Sequence, residues 1–393
     1  MKVIYITNSR IPTTKAHGFQ IMKMCEAFAH EGANVELWIP RRINPIKDSP
    51  FHYYGIKESF SIKKIPVMDL IPLYRILGPL ANFVESTSFA VFNMWRLNKT
   101  GFDIIYSRDQ FTLWLLSFSN HKFVYEMHKM PRHPGLYRRI WRKARKIITI
   151  TAVLKDAIVK EGADASKILV AHDGVDPDVF NAVNKNAEEL KTELDLPKEQ
   201  FLVGYVGKFK TLEQERGLKT MIEALSLLDK EIKMAFVGGE ESEIKEYKSL
   251  AQRFNVLSQC VFIGYQPYKR MTLYMKAMDA VVLPSPDKPL AHYSSPLKLF
   301  EYMASGRPII VSDLPALREV LNDKNALFFK PENSDDLARA IKMLKASPTL
   351  GYHLSQQALA DVKNYTWTNR AKNILTAIDH ALKLKGEVDR THE

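Results

Sequence analysis

Cysteine is almost absent from this 393-residue chain, which contains only Cys25 and Cys260. The two lie far apart, and neither belongs to a CxxC pair. A disulfide framework and a cysteine-based zinc site are therefore excluded, and we expect a reducing compartment. Low-complexity tracts and solenoid repeats are also missing. With 46% hydrophobic and 25% charged residues, the composition favours a folded chain of two or three domains.

Long uncharged apolar runs are lacking as well. Residues 65–95 are the most apolar stretch, but Asp69, Arg75 and Glu85 interrupt it. A spanning helix needs about 18 apolar residues, so no membrane span is expected. The start of the chain, MKVIYITNSR, becomes polar too early for a signal peptide. We therefore expect a cytosolic protein.

Acidic residues are scarce in the first 150 residues, where 10 Asp and Glu accompany 23 Lys and Arg. That segment accounts for the net charge of +12, because the rest of the chain is nearly balanced. Such asymmetry favours an anionic partner. Helix-turn-helix, RNP, KH and zinc-finger patterns are missing, so nucleic acid is not expected. An anionic membrane surface or a phosphorylated substrate remains.

Short apolar runs alternate with helical patterns along the chain. Strands are predicted at residues 2–6, 35–39, 103–106, 123–125 and 147–150. Polar residues 181–200 separate this series from a second one that begins at residue 201. Such alternation is typical of parallel sheets covered on both faces by helices. It predicts an α/β fold of two doubly wound domains with a ligand cleft.

Two positions in the first half could contact a ligand. Gly18 opens a predicted helix after the first strand, where backbone N–H groups can approach an anion. An ordinary strand–helix loop is the alternative, since no GxGxxG is present. His128 follows the strand predicted at 123–125, where it could donate to a phosphate or position a hydroxyl. A hydrogen-bonded surface histidine is the alternative there.

Cations and a glycine meet at one turn of the second half. Gly207 and Lys208 end the strand that begins at residue 201, and Arg216 precedes the next predicted helix. Two cations at a helix N-terminus suit a pyrophosphate. Two solvated cations are the alternative.

The densest pattern begins at Ser295, a predicted N-cap, with Pro296 as the first helical residue. The N–H groups of Leu297 and Lys298 would then point outward, toward an anion. Glu301 lies about one turn further, where a carboxylate could hold both hydroxyls of a ribose. A solvated Glu301 is the alternative.

Two other patterns carry weaker signals. Asp176 and Asp178 form a DxD pair in a predicted turn, but a lone DxD is common by chance, so no metal site is predicted. Residues 137–146 are strongly basic, and a helix there would carry a narrow apolar stripe. That helix could dock on anionic lipid together with residues 65–95. A surface helix with a small buried seam is the alternative.

Six segments in the second half resemble, in order, motifs of the GT4 family of GT-B glycosyltransferases. They are AHDGVDPDVF at 171–180, the segment 204–225, AFVGGEE at 235–241, the segment 262–285, SSPLKLFEYMASGRPIIVSD at 294–313 and YTWTNRAKNIL at 365–375. The first half is similar more weakly, through its first strand–loop–helix and YEMH at 125–128. The resemblance implies a GT-B fold: an acceptor domain at 1–185, a donor domain at 186–367, and a helix at about 368–393 that crosses back to the acceptor domain.

The resemblance also implies residue roles. Lys208 and Arg216 fall where the family contacts the donor diphosphate, with two extra residues between them here. Glu301 matches the second Glu of the E-x7-E motif, which holds the donor ribose, while Tyr293 replaces the first Glu. His128 matches a histidine near the donor sugar and phosphate. Further implied donor contacts are Gly18, Gly207, Gly264, Ser295, Leu297 and Lys298.

The resemblance implies a retaining transfer from a nucleotide-diphosphate sugar to a hydroxyl of a glycan or lipid-linked acceptor, in cell-envelope polysaccharide synthesis. No metal or other cofactor is expected, because cations would stabilise the leaving group. The basic first half then predicts a cytoplasmic protein, peripheral on the inner face of a membrane. Two alternatives stay open: a GT-B nucleotide-sugar epimerase, and a degenerate subunit that binds a nucleotide or partner, which Tyr293 favours.

Overall fold

The computed structural model describes residues 1–211, 214–289 and 291–390. The chain divides into two compact units, one comprising Met1–Asp173 with the chain from Trp367 onward, the other Gly174–Thr366.

The first unit is built on a seven-stranded parallel sheet. Its strands follow the order β3-β2-β1-β4-β5-β6-β7. The elements are β1 (Lys2–Ile6), α1 (Ala16–His30), β2 (Asn34–Pro40), α2 (Pro50–Tyr54), β3 (Ser61–Ile65), α3 (Tyr74–Leu77), α4 (Pro79–Leu97), β4 (Ile104–Ser107), α5 (Gln110–Leu116), β5 (Phe123–Met127), α6 (Arg138–Lys143), β6 (Lys146–Thr149), α7 (Ala152–Lys160) and β7 (Ile168–Val170).

The second unit contains a six-stranded parallel sheet of order β12-β11-β8-β13-β14-β15 and a small antiparallel hairpin. Its elements are α8 (Pro177–Asn181), α9 (Ala187–Glu193), β8 (Phe201–Val206), β9 (Lys210–Thr211), β10 (Gln214–Glu215), α10 (Leu218–Leu225), β11 (Ile232–Gly239), α11 (Glu241–Arg253), β12 (Cys260–Gly264), α12 (Tyr268–Ala277), β13 (Ala280–Leu283), α13 (Leu297–Ser305), β14 (Ile309–Ser312), α14 (Pro315–Arg318), β15 (Leu327–Phe329), α15 (Ser334–Ala346) and α16 (Pro348–Asp361).

The first junction lies at Asp173, earlier than residue 185. The reason is the packing of the intervening residues. The Val175 amide donates to the Tyr365 carbonyl at 3.0 Å, and Phe180 is buried in the core of the second unit. These residues therefore belong to the second unit before the polar stretch begins.

Both sheets have a point where the strand order reverses. It lies between β1 and β4 in the first unit and between β8 and β13 in the second. In open parallel sheets, ligands bind beside the carboxyl ends of the strands at this point. Each unit therefore has one place where site residues are expected to gather.

The last helix, α17 (Trp367–Arg390), belongs to the first unit and packs on α1. This is the returning helix that the resemblance predicts. Residues 391–393, the end of that prediction, lie outside the described residues.

The predicted basic helix is shorter than residues 137–146, and its apolar stripe does not face solvent. α6 covers Arg138–Lys143, and Ile140, Trp141 and Ala144 are buried in the protein. The alternative of a surface helix with a buried seam is the one observed. None of the described helices is both long and apolar enough to traverse a bilayer.

Candidate functional site

In the second unit, the turn after β8 holds a lysine from α13. The Lys298 Nζ lies 2.6 Å from the Tyr205 hydroxyl and 3.9 Å from the centre of that ring. Gly207, with a φ of +140°, makes room for it, since a Cβ built there would lie 2.3 Å from Nζ. Burial and then the charge of Arg216 lower the pKa of Lys298 to about 7. Lys298 therefore titrates near neutrality.

Arg216 is held by a second tight turn. Between Lys208 and Arg216, the strands β9 and β10 pair in antiparallel fashion. Gly217 follows with a φ of +89°, and a Cβ there would lie 1.6 Å from the Pro284 carbonyl oxygen. Only glycine lets this turn lie against the loop that follows β13. The backbone thereby holds Arg216 near Lys298.

The start of α13 differs from the prediction by one residue. Pro296, in extended backbone, occupies the N-cap position, and Leu297 is the first helical residue. Ser295 therefore precedes the cap. The early N–H groups of α13, including those of Leu297 and Lys298, still belong to the first turn, which has no intrahelical acceptor for them. An anion at this end would also be favoured by the helix dipole.

Glu301 is not solvated, contrary to the alternative considered for it. It is buried within α13, and the Tyr268 hydroxyl donates to its carboxylate. Burial raises the pKa of Glu301 to about 7, while Lys298 and Tyr268 oppose that rise. A buried carboxylate with one hydroxyl donor keeps free acceptor capacity. Tyr268, at the start of α12, was not found from the sequence, because no local motif marks it.

In the first unit, a buried carboxylate organises the carboxyl ends of the strands. Glu126 Oε1 lies 2.8 Å from Gln20 Nε2, 2.8 Å from His128 Nε2 and 2.8 Å from Arg370 Nη2. Burial raises the pKa of Glu126, but Arg370 and His128 outweigh this and hold it well below the usual range. The carboxylate is therefore ionised and accepts every one of these hydrogen bonds.

His128 is oriented by this carboxylate. Since an ionised Glu126 can only accept, His128 Nε2 carries the proton, and a neutral ring keeps its lone pair on Nδ1. Burial and then the charge of Arg108 lower the pKa of His128, against the opposing effect of Glu126. His128 is therefore a neutral acceptor at Nδ1 near pH 7 rather than a cation.

Arg108 and His17 complete this cluster. Arg108 follows β4, and its Nη1 donates to Gln20 Oε1 at 2.7 Å. Burial and then Arg108 lower the pKa of His17 to about 4. The sequence prediction missed Arg108, Gln20 and Arg370, because their partners lie on other strands and helices.

Gly18 lies in the first turn of α1, which begins at Ala16 rather than at the glycine. A Cβ at Gly18 would lie 2.2 Å from the Tyr54 hydroxyl and 2.5 Å from the Thr13 methyl carbon. Close packing therefore explains why a glycine occupies this position. The predicted anion contact would be an additional reason.

Two family profiles match the chain. Residues 18–179 match Glycosyltransferase Family 4, and residues 186–361 match Glycosyl transferases group 1. Together they cover most of both units. The chain belongs to glycosyltransferase family 4.

Relatives support this assignment. The glycosyltransferase is 23% identical to an uncharacterized glycosyltransferase of Methanocaldococcus jannaschii, over 61% of each chain. It is 24% identical to the amylovoran biosynthesis glycosyltransferase of Erwinia amylovora, over 62% of this chain and 56% of that protein. The chain thus spans between about half and three fifths of the curated relatives it matches.

A solved structure supports the fold over nearly the whole length. Anabaena HepE, crystallised with UDP, superposes with a TM-score of 0.73 at 18% identity, over 97% of this glycosyltransferase and 100% of HepE. With two parallel-sheet units and a returning helix, the glycosyltransferase has the GT-B fold that the resemblance predicts.

Two other predicted positions, Gly264 and Asp178, belong to the second unit. Gly264 ends β12, and a Cβ there would meet only the Gly239 carbonyl oxygen, at 3.9 Å, so packing does not require glycine. Asp178 lies in the first turn of α8. Among the described residues, no group of three or more His, Cys, Asp or Glu could hold a metal ion. The roles predicted for individual residues stay predictions.

Proposed function

We propose that this glycosyltransferase transfers a sugar from a nucleotide-diphosphate sugar to a hydroxyl, with retention at the anomeric carbon. The observation that carries the proposal is a cluster of partly compensated charges near the point where the strand order of the second sheet reverses, between β8 and β13. There, Lys298, Arg216 and Glu301 meet the first turn of α13. Cations and a helix N-terminus suit a diphosphate, and a carboxylate suits a ribose.

The reaction needs stabilisation of a departing diphosphate. The bond between the anomeric carbon and the diphosphate oxygen breaks, the diphosphate keeps the electron pair, and a bond to the acceptor oxygen forms. The acceptor proton goes to the departing phosphate. Arg216, Lys208 and a protonated Lys298 would stabilise the developing charge, which is the electrostatic form of catalysis. We propose that no metal is needed for this step.

His128 is proposed to position the sugar. With Nε2 committed to Glu126, its Nδ1 accepts a hydrogen bond from a hydroxyl. This separates the roles of the two units: the second neutralises phosphate charge, and the first orients hydroxyl groups.

Nucleotide binding tests the donor half of the proposal. The HepE structures contain UDP and UDP-glucose, so uridine nucleotides come first, followed by GDP, ADP and CMP, all with EDTA. Thermal shift is measured on the wild type, on Arg216→Gln and on Lys219→Gln. Lys219 is an exposed lysine on α10, which makes it a matched control.

A ligand at 100 times its Kd adds about 2.7 kcal/mol of stability. We expect one nucleotide to give a shift that Arg216→Gln loses and Lys219→Gln keeps. Absence of any shift would contradict the donor site. It would favour the degenerate subunit, for which the replacement of the first motif Glu by Tyr293 is the supporting observation.

We propose a glycan or lipid-linked acceptor in cell-envelope polysaccharide synthesis, with the protein peripheral on the inner face of a membrane. The excess of Lys and Arg in the first 150 residues supports an acceptor at an anionic surface, and the Erwinia relative is named for amylovoran biosynthesis. Incubation of the donor with lipid-linked and soluble acceptors, read by mass spectrometry, tests the class. The anomeric coupling constant of the product, measured by NMR, tests retention. Conversion of the donor to an isomer without acceptor would point to the epimerase.

A further inference from the structure

Large apolar side chains are exposed along one face of α4. Residues 81, 85, 89, 93 and 97 face the protein interior at every fourth position. On the opposite face, Leu80, Phe83, Val91 and Trp95 are each more than half exposed. From Leu80 to Trp95 this face runs for about 22 Å along the helix. An exposed apolar strip of this length marks an interaction surface.

The same surface continues onto α5 and the residues just after it. Phe111, Trp114 and Phe118 are exposed at spacings of three and four residues. The Phe83 and Phe111 rings are 6.0 Å apart, which joins α4 to α5, and the Trp114 and Phe118 rings are 4.9 Å apart. We call these seven residues on α4 and its neighbour the apolar face.

Cations lie directly on this apolar face. The Lys99 ammonium lies 4.1 Å from the centre of the Trp95 ring, and the Arg139 guanidinium lies 3.8 Å from the centre of the Phe118 ring. Arg139 belongs to α6, whose Arg142 and Lys143 are exposed. The basic helix thus borders the apolar face, although its own apolar stripe is buried.

Acidic residues are scarce in the segments that form this region, although Asp103 is exposed between them and Glu161 pairs with Arg138 of α6. Residues 71–102 and 110–146 contain three and nine Lys and Arg, respectively, and one Glu each. Both glutamates are buried: Glu85 pairs with Arg42, and Glu126 pairs with Arg370. Apolar and aromatic groups bordered by cations, with few acidic side chains nearby, suit an anionic bilayer. A second copy would meet the same excess of positive charge, which disfavours self-association through this face.

We propose that the apolar face of α4 and α5, bordered by the cations of α6, docks on the surface of an anionic lipid bilayer. Aromatic and aliphatic side chains enter the headgroup region, and the cations contact lipid phosphates. Docking would bring the protein to a lipid-linked acceptor, and this role of the apolar face rests on the proposed function. The binding itself needs no nucleotide sugar.

The tryptophans provide a direct measurement. Trp38, Trp141 and Trp367 are buried, whereas Trp95 and Trp114 are 59% and 45% exposed. Emission and acrylamide quenching of the full chain are measured with vesicles of phosphatidylcholine alone and of phosphatidylcholine with phosphatidylglycerol. With the anionic vesicles we expect a blue shift and protection from quenching. High salt weakens both.

Variants assign the effect to the apolar face. Phe83→Ser with Trp95→Ser lowers the partition coefficient in vesicle sedimentation by about tenfold or more. Tyr352→Ser, which removes an exposed aromatic residue of the second unit, leaves it unchanged. Trp95→Phe with Trp114→Phe retains sedimentation and loses the spectral change, which separates docking from misfolding.

Three outcomes overturn the proposal. The protein does not sediment with anionic vesicles, or Tyr352→Ser lowers the partition coefficient as much as the double variant does. In the third, the tryptophans are protected from quenching without vesicles, and light scattering shows that the protection accompanies dimer formation. Because the assay contains no donor, a failure here leaves the nucleotide-binding test unaffected. A failure of nucleotide binding likewise leaves vesicle docking measurable.

Discussion

Each unit contains a buried carboxylate, Glu126 on β5 and Glu301 on α13, and the two differ in how far their charge is compensated. Glu126 receives three hydrogen bonds at 2.8 Å, including one from a buried arginine, and its pKa is held low. Glu301 receives a hydroxyl donor and lies near Lys298, and burial raises its pKa to about 7. A carboxylate whose charge is fully compensated within the protein stabilises the fold. A partly compensated carboxylate can still accept hydrogen bonds from a ligand.

The largest effect should come from breaking the compensated pair. Arg370→Met leaves Glu126 buried without its cation, which costs about 3–5 kcal/mol. All five tryptophans belong to the first unit, so fluorescence-detected urea unfolding reports this unit. Arg138→Met, which removes an exposed pair with Glu161 in the same unit, costs less than about 1 kcal/mol. If both substitutions lowered the free energy of unfolding equally, Glu126 would not depend on Arg370 for its compensation, and the contrast with Glu301 would disappear.

In the partly compensated cluster, nucleotide binding should depend on the protonation of Lys298. Lys298 has a pKa of about 7 without ligand, and a diphosphate favours its charged form. Nucleotide affinity should therefore fall by up to about tenfold per pH unit between pH 7 and 9. Calorimetric titration measures this. Lys298→Gln should bind more weakly at pH 7, with a flatter profile, and an unchanged slope would place the titrating group elsewhere.

Glu301 should also make stability depend on pH. Its folded pKa of about 7 exceeds the ordinary value of 4.5, so the folded state binds more protons between these values. Stability then falls as the pH rises from about 4.5 to 7, by up to about 3 kcal/mol. Lys298 opposes this fall only as the pH approaches 7, because at lower pH it is protonated in both states. His17 and His128, whose folded pKa values are lowered, give a slope of opposite sign, but the same one in both proteins. Scanning calorimetry should therefore show the wild type losing stability relative to Glu301→Gln over this range.

The smallest effect is expected at the DxD pair. Asp178 is exposed in the first turn of the short helix α8. Asp178→Asn should change the transfer rate by less than about twofold, with or without EDTA, because substitution of an exposed side chain usually costs little. A large loss that added divalent cations modify would restore the metal interpretation.

The sequence predicts well what local patterns encode. β1 and β8 are apolar runs bounded by polar residues, and parallel strands buried on both faces read in that way. Gly207, Lys298 and Glu301 lie within short segments near such strands, so their residue types suggest their chemistry. The fold and the second-unit cluster were therefore accessible without coordinates.

What could not be predicted depends on distant partners or on mixed patterns. Arg370 and Glu126 are 244 positions apart, so no spacing reveals their pair. Tyr268 reaches Glu301 from another helix. α4 was not recognised, because apolar residues occur on its buried and exposed faces alike and hide the helical period. That same mixture is what makes its outer face a candidate docking surface.

The pair of Arg370 with Glu126 has a consequence for the order in which the protein is made. A ribosome synthesises Glu126 and the whole first sheet long before it reaches α17. Until then, the nascent first unit holds an internal carboxylate without its guanidinium, whereas Gly174–Thr366 is one continuous segment. The unit that begins the chain is thus completed last, after the whole of the other unit has been synthesised.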